Sequence, residues 1–127
     1  MKIYKIAMSS AEKAEKLTSP VYRRGDCFAN VIRWITHNDS EDAIVVHGKV
    51  TNGKNERLDH AWIEQGNEVI DPTVDVYVDK IEFYAITKAE ADAKYTSTQT
   101  LINAARTKHG GPWTRAEVRY NYLFRID

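Results

Sequence analysis

The chain has 127 residues, enough for one hydrophobic core, and its 18 basic and 18 acidic side chains cancel. Zero net charge supplies no field to draw in nucleic acid, an anionic membrane or a polyacidic substrate. The single cysteine excludes an internal disulfide, and no stretch approaches the ~20 apolar residues of a membrane span or the apolar run of a secretory signal. The expectation is one soluble, cytoplasmic domain over residues 1–127.

Residues 2–8 alternate apolar and polar, which predicts a short strand. Ser9 with Glu12 three residues on has the form of a capping box, so a helix opens there and must end before Pro20. From Asp26 the pattern becomes helical, with Phe28, Val31, Ile32 and Ile35 on one face and Asn38 as a stop. Cys27 then lies in the first turn of that helix. "AIVVHGKV" is rich in β-branched residues and reads as a strand, and Asn52-Gly53 in "TNGKN" is a turn signal.

"HAWIE" and "EVIDPT" flank Gln65-Gly66-Asn67 and form the best hairpin in the chain. "VYVDKIEFYAI" reads as further strand. Thr87 with Glu90 suggests a second capping box, followed by a helical stretch to about Lys108, interrupted near residues 96–98 and broken by "HGGPW". Val118, Tyr120, Tyr122, Phe124 and Ile126 alternate as in a strand. These elements amount to an α+β domain with a mainly antiparallel sheet.

A thiol at a helix start faces unpaired backbone N–H groups and the positive end of the helix dipole, which favour the thiolate. The same N–H groups can donate to a developing oxyanion. A buried cysteine that only fills space is the alternative. Of the four histidines, His37 lies ten residues along the same helix, ~15 Å away at 1.5 Å per residue, and cannot serve Cys27 as a base. His109 sits beside two glycines and a proline in a helix-end or loop setting, and His47 lies on a strand with no acidic residue spaced to orient it.

His60 differs. If Gly66 and Asn67 make a two-residue turn, Gln65 opposes Glu68, Trp62 opposes Asp71 and His60 opposes Thr73. Asp71 is then diagonal to His60 on the same face, within side-chain reach. A three-residue turn would put it on the other face.

"GDCFANVI", "HAWIE" and "VIDPT" together resemble the cysteine, histidine and aspartate segments of the papain-like superfamily, especially its bacterial-type transglutaminase-like members. The resemblance covers residues 25–73 and preserves the order Cys, His, Asp. It implies a cysteine-bearing helix packed on an antiparallel sheet, with Cys27 as nucleophile, His60 as base and Asp71 orienting the ring. No glutamine precedes Cys27 to match the oxyanion glutamine of papain, and Tyr22 is the candidate donor by position. Trp62, two residues from His60, is placed to shield the pair from water or to flank an acyl group.

The expected activity is thiol-dependent acyl transfer through a thioester, acting on a protein, peptide or small amide, in a partly open cleft. A non-catalytic binding module on the same fold is the alternative, with tyrosines and tryptophans forming a contact surface. Cys27, His47 and His60 lack the tight spacing of a metal site and include only one thiolate, so no metal or cofactor is expected. Arg23, Arg24, Arg115, Arg119 and Arg125 read as solvated faces rather than a nucleic-acid or membrane surface.

Overall fold

The computed structural model describes residues 8–19, 26–38 and 40–119. Helix α1 (Ser10–Leu17) begins at the expected capping box: the Ser9 hydroxyl accepts from Glu12 N and the Glu12 carboxylate accepts from Ser9 N. Helix α2 (Cys27–His37) starts at Cys27 and is closed by Asn38, whose N–H donates to Trp34 O. Strands β1 (Ile44–Thr51), β2 (Arg57–Gln65), β3 (Glu68–Asp71) and β4 (Val76–Asp79) follow, then α3 (Lys80–Thr87), β5 (Glu90–Thr96) and α4 (Ser97–Thr107). The strands form one antiparallel sheet in the order β4-β3-β2-β1-β5.

The hairpin has the two-residue turn, with Gln65 opposite Glu68 and Gly66 at φ +62°, a conformation glycine adopts without a Cβ penalty. Its register sends alternate residues to two cores. Val45, Ala61, Ile63 and Ile70 pack with α2 through Phe28, Val31, Trp34 and Ile35. Val46, Trp62, Val69 and Val78 pack on the opposite face with Leu17 of α1 and Phe83 of α3.

Two expectations fail between residues 80 and 96. "KIEFYAIT" is helix α3, not strand: Phe83 and Thr87, one turn apart, are both buried and the Thr87 hydroxyl donates to Phe83 O at 2.7 Å. Thr87 is therefore a helix end, with Lys88 at φ 54° terminating it, and residues 90–96 form β5 against β1 instead of a helix. The interruption expected near residues 96–98 is where α4 starts, on a capping box of Thr96 and Gln99. The strand expected at residues 2–8 lies outside the described residues except for Met8, and so does most of the expected tail strand; Val118 is in a turn. Among the described residues no helix is long and apolar enough to cross a membrane.

Gly48 holds the middle of the sheet together by having no side chain. It pairs with His60 on one side and Ala91 on the other, and a Cβ there would lie 2.0 Å from Glu90 O and 2.9 Å from the Trp62 ring. Gly48→Ala should force β5 off β1 and cost at least about 1–3 kcal/mol by overpacking, read as a lower urea midpoint. An unchanged midpoint would show that the sheet relaxes freely at this position.

Candidate active site

The cysteine helix and the histidine are brought together across a gap in the sheet. Helix α2 packs on the face of Ala61 and Ile63, whereas His60 and Trp62 project from the opposite face. The last β2–β3 pair is Ile63 with Ile70, so β2 runs on past its neighbour while the chain turns at residues 72–75. Into this margin the first turn of α2 is clipped: Asn30 Nδ2 donates to Thr73 Oγ1 at 3.2 Å, and Thr73 N donates to Asp71 Oδ1 at 3.2 Å. Sequence reading singled out neither Asn30 nor Thr73. The one available signal was that Asn30 lies one helical turn after Cys27.

His60 Nε2 and Asp71 Oδ2 are 2.8 Å apart, and both side chains are 0% exposed. Burial by itself lowers the His60 pKa, but the Asp71 charge and hydrogen bond, then the hydrogen bond and charge interaction with Cys27, raise it from 6.5 to about 9. With Nε2 taken by Asp71, Nδ1 is the ring nitrogen left to face the thiol. The aspartate thus fixes both the ring's orientation and which nitrogen meets sulfur.

The site is closed rather than partly open. Cys27 is 1% exposed. Trp62 is fully buried, stacked near the His60 ring with centroids 6.1 Å apart and donating through Nε1 to Glu64 Oε2 at 3.1 Å. With no exposure, Trp62 presents no accessible surface beside the His60 ring. Tyr22 lies outside the described residues. Asp26 is the N-cap of α2 but makes no side-chain cap bond, so it leaves the first-turn N–H groups unoccupied by its carboxylate.

The other histidines are placed apart from this chain of bonds. His37 Nδ1 bonds Arg33 O at 2.8 Å within α2, and His109 Nε2 bonds Glu117 Oε2 at 2.8 Å in the loop after α4. His47, on β1, is buried among Phe28, Tyr95 and Trp113 at ring-centroid distances of 4.8, 5.2 and 4.9 Å. Among the described residues no group of three or more His, Cys, Asp and Glu is placed to hold a metal.

Compared with protein-family models, curated proteins and solved structures, the chain matches none.

His60 and His47 should make stability fall on both sides of pH 6.5. His60, raised to about 9, contributes stability that is full below pH 6.5 and lost as pH rises through 9. His47, lowered by burial to about 4, contributes stability that is full above pH 6.5 and lost as pH falls through 4. Each limb has a limiting slope of about 1.4 kcal/mol per pH unit. In urea titrations from pH 5 to 9, Asp71→Asn should abolish the alkaline limb and His47→Phe should flatten the acid one. An alkaline limb that survives Asp71→Asn would mean that another group supplies it.

Proposed function

We propose that the protein is a thiol-dependent acyl-transfer enzyme on a papain-like, transglutaminase-like fold, with Cys27, His60 and Asp71 as its triad. The observation supporting this is the buried 2.8 Å pair of His60 and Asp71, with the equally buried Cys27 thiol at a helix start among the groups that raise the His60 pKa. A ring held by a carboxylate on one nitrogen and facing a thiol with the other is a base aligned to take the thiol proton.

In this reading the proton shared with Cys27 rests on His60 Nδ1, as the raised pKa of the ring favours, and the sulfur attacks the carbonyl carbon of an amide or ester. The oxygen of the tetrahedral intermediate faces the first-turn N–H groups of α2, with Tyr22 as a further candidate donor. The imidazolium returns its proton to the leaving amine or alcohol as the C–N or C–O bond breaks, leaving a thioester. Water or an amine, deprotonated by His60, then attacks the thioester and the thiol is regenerated. Asp71 stays ionised throughout and stabilises the imidazolium. No metal or cofactor enters these steps.

The burial of Cys27 favours a second reading, a non-catalytic binding module in which the His60–Asp71 pair only ties β2 to the turn after β3. Iodoacetamide at pH 6 separates the two, because an unassisted thiol reacts slowly there. For the enzyme, intact mass should show one adduct on the native protein, formed faster than on the urea-unfolded chain. His60→Ala should slow it by about 10²–10⁴-fold, Asp71→Asn by less, and His47→Phe hardly at all. Labelling only after denaturation would assign Cys27 to packing and leave the binding module.

A further inference from the structure

Helix α2 rests on the sheet through Phe28, Val31, Trp34 and Ile35. Apolar burial of this kind is non-directional, so it holds the helix on the sheet more firmly than it sets the helix's position along it. Nor does the helix anchor its own start, because the Asp26 side chain makes no cap bond. The turn that carries Cys27 is closed by Asn30, whose N–H donates to Asp26 O at 2.9 Å. Asn30 stands three residues after Cys27, beside it on the helix surface.

The Asn30 side chain is held at both ends. Arg33, one turn further on, donates to its Oδ1, and its Nδ2 donates to Thr73 Oγ1 at 3.2 Å. Thr73 is tied in turn to Asp71, whose Oδ1 accepts from Thr73 N at 3.2 Å in an Asx turn, with the fixed φ of Pro72 between them. The other carboxylate oxygen, Oδ2, meets His60 Nε2 at 2.8 Å. A closed circuit results. It runs from Cys27 along one helical turn to Asn30, across to Thr73, and through Asp71 to His60, on which Cys27 acts in turn. The crossing from α2 to the turn after β3 is a directional hydrogen bond between two half-buried side chains, so removing it loosens the helix start without emptying the core.

We propose that Asn30 and Thr73 are positioning residues that hold the Cys27 thiol against the His60 ring. They act through the helix turn on one side and through Asp71 on the other. Their purpose rests on the acyl-transfer reading, in which a misplacement of about 1 Å between nucleophile and base costs on the order of 10²-fold in rate.

The placement can be read without turnover. Cys27 is among the groups that raise the His60 pKa, so that value, followed by NMR of ¹³C-labelled histidine from pH 5 to 10, reports whether the thiol is in place. Asn30→Ala and Thr73→Val should each lower it by about 0.5–1, the size of one lost hydrogen bond, and Thr73→Ser should keep it at the parent value. In a Cys27→Ala background neither Asn30→Ala nor Thr73→Val should move it. A shift that persists without the thiol, or no shift in either variant of the parent, would overturn the proposal. If Asn30→Ala does not fold, Thr73→Val against Thr73→Ser carries the same comparison. Iodoacetamide at pH 6 then separates this proposal from the reading it rests on. Labelling of native Asn30→Ala about five- to tenfold slower than the parent supports both. Equally fast labelling with an unmoved His60 strikes the positioning role and leaves the enzyme. A parent labelled only after denaturation, with the His60 shifts as expected, keeps the positioning role and places the failure in the thiol chemistry.

Discussion

The 2.8 Å contact between His60 and Asp71 is the constraint on which the rest of the site depends. Two ionisable side chains with no exposure are costly to bury unless each satisfies the other, and removing one leaves an uncompensated charge in the core. The contact survives only if β2 and β3 keep their register, because a one-residue slip would send Asp71 to the opposite face. The Gly66-Asn67 turn sets that register. A turn at the surface thereby decides which nitrogen of a buried imidazole meets the carboxylate.

His47 and His60 show how little separates two opposite electrostatic outcomes. They sit on adjacent strands, one residue out of direct opposition, and both are buried. His60 has a carboxylate on its ring and its pKa rises, whereas His47 is buried against the rings of Phe28, Tyr95 and Trp113 and its pKa falls. Desolvation acts in the same direction on both. The carboxylate partner, helped by Cys27, reverses the sign.

On the other half of the sheet, burial of a charge is settled by numbers of donors. Glu64 is 5% exposed and accepts from Trp62, Tyr84, Lys80 and Lys94, which outweigh the burial that would raise its pKa and hold it below the usual carboxylate range. These bonds fasten β2 to α3 and β5, and they fix Trp62 as the wall behind His60. The tryptophan next to the candidate base is held by its own hydrogen bond and by Gly48, whose missing side chain makes room for its ring.

The helix starting at Cys27, the hairpin register and the facing of His60 and Asp71 were legible in the sequence, because each follows from local rules: helical spacing, a two-residue glycine turn, and alternation along a strand. Residues 80–96 were not. "KIEFYAIT" is rich in aromatic and branched residues suited to a strand, yet it is a helix because Phe83 and Thr87 bury one turn apart against the outer core. "EADAKYT" has weak strand propensity, yet it pairs with β1 because that edge offers unpaired backbone groups and Arg57 meets Glu90 there. The sequence by itself determined where Cys27, His60 and Asp71 stand along the chain and on which face of the hairpin the last two lie. Only the tertiary structure decided that the cysteine helix is clipped to the margin between β2 and β3, that Cys27 and His60 are buried, and that a bulge turns Asp92 onto Lys49. Those features depend on contacts between segments far apart in the chain, and no local period records them.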